Sequence, residues 1–129
     1  MIDVMKELRP IGEQFVAGEY LRGLQSLESL WMSIPDPKPA TLNSYMIVEY
    51  AVTFSLKMGN LIEAKNWASM APLFIEDRHD DGEVEFLVGK VAFECGELSS
   101  ARDSFLVAKK KSKGRLLRGT DERYIALIK

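Results

Sequence analysis

The residues best equipped for chemistry are few and unevenly placed. One imidazole, His79, stands in the run EDRHDDGEVE beside Asp80 and Asp81, where an acid–base pair is conceivable. One thiol, Cys95, precedes a glycine. A Ser-His-Asp or Cys-His arrangement would need Cys95 or a serine to reach the loop carrying His79. A single His excludes a site of two imidazoles. A single Cys excludes an internal disulfide framework and a Cys-rich zinc site. Asp77, Asp80, Asp81 and Glu83 offer oxygens to a hard cation, but no calcium-loop spacing is present. The glycines are dispersed rather than grouped into a phosphate-cradling loop. Acids among turn formers are also what a solvated helix-start loop contains, and a thiol at a helix end is more often inert than nucleophilic. The expectation is a non-enzyme with no cofactor and no metal.

Charge layout says more. Residues 76–85 hold six acids (Glu76, Asp77, Asp80, Asp81, Glu83, Glu85), and residues 109–118 hold six bases (Lys109, Lys110, Lys111, Lys113, Arg115, Arg118). Helix ends favour such placements, acid at the start and base at the finish. The same segregation would make a bipolar surface that steers and orients a charged partner. Over the whole chain 17 Lys and Arg face 19 Asp and Glu, for a net charge of -2. A nucleic-acid binder ordinarily carries a basic surplus, and the basic run lacks interleaved aromatics for stacking, so no nucleic-acid partner is expected. Asp3, Lys6, Glu7, Arg9 and Glu13 break the first 21 residues, which leaves no signal-type apolar core. The longest apolar-rich stretch, Tyr45 to Phe54, contains Glu49 and Thr53 and is too short to span a bilayer. These features lead to the expectation of a cytoplasmic protein without a membrane partner, its free thiol suited to a reducing compartment.

The elements that would position these residues read as helices. At 129 residues and 47% apolar composition, the chain suits a single domain, 1–129, with one hydrophobic core. Gly18, Gly59 and Gly96 are spaced 41 and 37 residues apart, and each opens a similar segment. Tyr20, Leu61 and Leu98 follow two residues later, and the small residues Gly23, Ala64 and Ala101 five later. Leu27, Ala68 and Phe105 come next, then Leu30, Ala71 and Ala108. A glycine there permits the left-handed conformation that ends one helix and opens the next. A small residue five on suits a close crossing of two antiparallel helices.

Before each glycine lies another helical period. Val84, Leu87, Val88, Val91 and Ala92 form one stripe, started by Asp80 and Glu83; Val48, Ala51, Val52 and Ser55 form another, starting near Thr41. In the first stretch Pro10 either kinks the helix or defers its start to about Arg9. Loops fall at 34–39 and 76–82, and a terminal helix capped by Thr120 is expected over Asp121–Lys129. No strand alternation is present. The reading is all-α, six helices in three hairpins plus a terminal one.

The glycine, the small residue five later, the bulky residue four beyond and the alanine three further resemble the second half of a tetratricopeptide repeat. Gly89, seven before Gly96, resembles the small residue inside that family's first helix, and Pro35 falls where such repeats break. Gly23 replaces the usual alanine, no aromatic opens the first helices, and the period exceeds the family's ~34 residues. The resemblance covers about residues 3–113. It implies three antiparallel helical hairpins stacked as a short right-handed superhelix, plus a short C-terminal helix. First helices would line the concave side. Off the core stripe this places Met46, Glu49, Thr53, Leu56 and Lys57 on one such helix, and Glu83, Phe86, Lys90, Phe93 and Glu94 on another. Aromatic anchors amid charge suit a protein partner, although Phe86 and Phe93 equally suit a core.

The ending KGRLLRGTDERYIALIK resembles that of small stand-alone bacterial proteins of this type, several of which are immunity partners of secreted toxins. The implied role is a protein-interaction module that binds and neutralises a cognate bacterial toxin or effector. A chaperone or assembly scaffold for a secreted client is the alternative. An enzyme using His79 and an RNA binder using Lys109–Arg118 stand behind these. Three repeats would also leave apolar end faces that a homodimer could cover.

Overall fold

Asp3, Ser44, Gly82 and Asp121 sit immediately before helices, and a glycine stands two residues past the end of three of them. A computed structural model describes residues 1–75 and 81–129, and all regular structure among these is helical. The α-helices are α1 (Val4–Val16), α2 (Tyr20–Ser33), α3 (Tyr45–Lys57), α4 (Leu61–Ala68), α5 (Glu83–Glu94), α6 (Leu98–Ser112) and α7 (Glu122–Leu127). Single 3-10 turns cover Lys38–Ala40, Ala71–Phe74 and Arg115–Leu117. No described helix is long and apolar enough to cross a membrane. The chain divides into two compact units, Met1–Trp67 and Ala68–Lys129.

The three repeated glycines all lie at bends, each with a positive φ of 72 to 78°. The hydrogen bonds around them repeat in register. Gly18 donates its N–H to Phe15 O and Glu19 to Gln14 O. Gly59 donates to Leu56 O and Asn60 to Ser55 O. Gly96 donates to Phe93 O and Glu97 to Ala92 O. These are the paired bonds of a Schellman turn, which satisfy carbonyls that a helix end would otherwise leave without an acceptor role. α6 ends with the same pair of bonds, Lys113 to Lys110 O and Gly114 to Lys109 O, with Lys113 itself left-handed at φ 54°.

In the first unit α2 packs on both α1 and α3. Val4, Leu8 and Ile11 of α1, Leu24, Leu27 and Leu30 of α2, and Ile47, Val48, Ala51 and Val52 of α3 are all buried. Each recurs at the three- and four-residue spacing of one helical face. A buried leucine of this kind contributes roughly 1.5–3 kcal/mol relative to exposure. In the second unit α5 packs on α6 and on the turn Ala71–Phe74, with Val84, Leu87, Val91, Ala101, Phe105 and Ala108 buried.

Small residues mark the closest approaches. A Cβ on Gly23 would overlap the ring of Phe54, and one on Gly89 would stand 2.7 Å from two ring carbons of Phe105. The positions five after each turn glycine, Gly23, Ala64 and Ala101, are all buried.

Several sequence expectations shift. Pro10 does not defer the first helix: α1 starts at Val4 and runs through it, capped by Asp3, whose carboxylate accepts the N–H of Lys6 at 3.2 Å. Pro10 and Lys6 are exposed, so water can reach the Lys6 carbonyl that the proline leaves without its usual donor. α3 begins at Tyr45 rather than near Thr41, because Lys38–Ala40 takes a 3-10 turn and the Ser44 hydroxyl donates to Lys38 O at 2.8 Å. α7 is capped by Asp121, not Thr120; the Asp121 carboxylate accepts the N–H of Arg123 at 2.9 Å. At α5 the Asp81 carboxylate accepts the N–H of Glu83 at 3.1 Å, while Asp80 lies outside the described residues.

Candidate functional site

The groove residues expected from the sequence fall on two helices in separate units. On α3, Met46, Glu49 and Leu56 are half-buried, and Thr53 and Lys57 are exposed. Thr53 donates its hydroxyl to Glu49 O one turn back at 2.9 Å. On α5, Glu83, Phe86, Lys90, Phe93 and Glu94 are all half-buried. The Lys90 ammonium stands 5.0 Å over the Phe86 ring, a cation–π contact along the helix surface.

On α5 the structure brings Phe86, Phe93 and Glu94 against α7. Tyr124, only 7% exposed, puts its ring 5.1 Å from Phe93 and 6.3 Å from Phe86, both near edge-on. It also lies 4.8 Å from Phe105, and Leu127 and Ile128 close the same cluster. Edge-to-face rings at these separations are favourable beyond the area they bury. Next to Tyr124, the Arg123 guanidinium stacks 5.1 Å over Phe93 and donates to Glu94 at 3.2 Å.

The electrostatics follow from this geometry. Arg123 donates to both carboxylate oxygens of Asp121, which drives the Asp121 carboxyl below its ordinary value and the guanidinium above its own, with Glu94 adding to the latter. Burial, and then the charges of Glu94 and Asp121, push the Tyr124 phenol upward. Tyr124 stays neutral through the physiological range, as a ring facing other rings should.

Arg123 and Tyr124 are the residues that sequence reasoning missed here. Their signal was an aromatic beside a cation, followed three and four residues on by Leu127 and Ile128.

The acidic and basic runs meet within the second unit. Lys111 donates to Glu85 at 2.7 Å, with both side chains mostly covered, and Arg115 stands 3.9 Å from Asp81. Gly82 lies so close to α6 that a Cβ there would be 2.8 Å from Ala108 O. Part of the charge read as a bipolar surface is therefore spent inside the unit. Lys109, Lys110, Lys113 and Arg118 remain exposed. His79, with Glu76, Asp77 and Asp80, lies outside the described residues. Cys95 is half-buried at the C-terminal end of α5, and no group of three or more His, Cys, Asp or Glu among the described residues could hold a metal ion.

The first unit has its own features. Trp31 and Trp67 meet at 5.7 Å nearly at right angles, and Lys38 stacks 5.3 Å over Trp31 while capping Trp31 O and Ile34 O. The Glu28 carboxyl is pushed upward by desolvation and by its hydrogen bond and charge contact with Glu63. An open apolar groove of about 740 Å³ runs between Val4, Pro35, Ala40 and Leu42.

Against known proteins, no family model matches the chain, and neither does any curated protein or solved structure.

Proposed function

We propose that this chain is a non-catalytic protein-interaction module that holds another polypeptide on the first-helix faces, in particular α5. The observation that carries the reading is the α5 face itself. Phe86 and Phe93 stand amid Lys90 and Glu94, and this mixed aromatic and charged surface, together with Phe105 of α6, already receives a helix, α7. The finer architecture we propose is a tetratricopeptide-like stack of three hairpins in a short right-handed superhelix. The same turn repeated at Gly18, Gly59 and Gly96 supports it.

Within this class we propose an immunity role: binding and neutralising a cognate bacterial toxin or effector. Co-expression with the product of the neighbouring gene tests it by size-exclusion chromatography and by that product's activity. Co-elution with suppressed activity is expected, and exchange of Phe86 and Lys90 for alanine should weaken the complex about tenfold or more with helical circular dichroism intact. A product that never co-elutes removes the immunity role. A bound product that regains activity on release makes the chain a chaperone instead.

A further inference from the structure

We infer that α7 is a displaceable internal occupant of a peptide-binding face shared by α5 and α6. The external ligand of that face would be a short helical segment presenting an arginine followed by a tyrosine, with aliphatic residues three and four positions after the tyrosine. The inference rests on the protein-binding reading above and supplies the chemistry of the partner.

The contacts of α7 define what fits. An aromatic ring fills the space between Phe86 and Phe93 and reaches Phe105. A neighbouring guanidinium covers Phe93 and pairs with Glu94. Leu127 and Ile128 complete the apolar contact. Arginine suits this better than lysine, because its planar group stacks and donates together.

The attachment of α7 is what makes it an occupant rather than a wall. It has six residues, of which Tyr124 is the one buried; Glu122, Arg123 and Ala126 remain exposed. A helix this short does not persist in water without a surface to lie on. The chain is anchored just before it by Leu117, 6% exposed, and then passes through Gly119 at φ +69°. α7 can therefore leave while α6 and Leu117 stay in place, a local opening well short of unfolding. A tethered occupant acts as a competitor at high effective concentration, so a free ligand binds weakly until α7 is weakened or outmatched.

The test uses the full-length chain and a fluorescent peptide spanning residues 119–129. The peptide should bind Tyr124→Ala at least tenfold more tightly than wild type, whose face is filled. Phe93→Ala added to that variant should abolish binding, as should exchange of the peptide's own tyrosine for alanine. In wild type, hydrogen exchange of α7 amides should run at least tenfold ahead of α5 and α6. Equal exchange in the three helices would make α7 part of the hairpin core and end the proposal. So would a Tyr124→Ala chain that loses its fold, or one that keeps wild-type helicity and ignores the peptide. Concentration-dependent dimers that exchange α7 would replace the partner with a second copy. No toxin enters this assay: a bound peptide without a co-eluting gene product keeps this inference and drops the immunity role.

Discussion

Each unit of the molecule brings a phenylalanine ring onto a glycine of the preceding helix, but across connections of different length. In the first, Gly23 sits on α2 and receives Phe54 from α3, across the long connection at 34–44. In the second, Gly89 sits on α5 and receives Phe105 from α6, across the tight turn at Gly96. The rings then extend differently. Phe54 joins Phe15 and Tyr20, at 5.1 and 6.5 Å, using side chains from α1 and α2. Phe105 joins Phe86 and Tyr124, so its cluster is completed only by the C-terminal helix. One close contact joins α2 to α3; the other joins α5 to α6 and leaves its aromatic side to be covered by α7.

The largest test of that contrast is truncation of the two rings. Phe105→Ala and Phe54→Ala should each cost about 3–5 kcal/mol in urea unfolding, as large-to-small changes in a core do. Phe105→Ala should cost more, because it also loosens Tyr124, and the α7 amides should lose protection with it. Equal costs with α7 protection unchanged would detach α7 from the Phe105 cluster. Next come the helical glycines. Gly23→Ala and Gly89→Ala should each destabilise by about 1–3 kcal/mol through overlap with a ring. Gly12→Ala, in open space within α1, should stabilise by about 0.5–1 kcal/mol. A gain at Gly89 would show that the Phe105 ring yields easily and that the close contact is incidental.

The smallest effect belongs to Glu28, a feature of the first unit without counterpart in the second among the described residues. Its raised pKa means that the folded chain holds this proton at higher pH than the unfolded chain does. Stability therefore falls as pH climbs from the ordinary 4.5 through the raised value, and the penalty is complete at neutrality. Glu28→Gln should raise the melting point at pH 7 and leave it unchanged near pH 4. The gain should be about 0.5 kcal/mol or less, since the side chain is exposed and screened. A gain at pH 4 as well would trace it to something other than the carboxyl pair.

The glycine turns were legible because a left-handed residue after a helix selects glycine, and selection repeated in register is visible as spacing. The core followed for the same reason: stripes such as Val48, Ala51, Val52 and Ser55 carry their period along one helix. Caps were less legible. Thr120 and Asp121 are both competent, and the choice depends on which backbone turns first. Pro10 left the start of α1 open because its cost depends on whether water reaches the Lys6 carbonyl, a tertiary fact. The partner of Phe86 and Phe93 was hidden for a deeper reason. α7 is too short to show a period, and where it lies is decided by rings distant in sequence.

The turns at Gly18 and Gly96 also bear on how quickly the chain reaches its native form. Each brings together helices adjacent in sequence, α1 with α2 and α5 with α6, so search is confined to short closures rather than distant encounters. Chains dominated by such nearby pairings cross their barrier in microseconds to milliseconds. α7, which must find Phe86 and Phe93 about thirty to forty residues back, closes a longer loop than either of these turns.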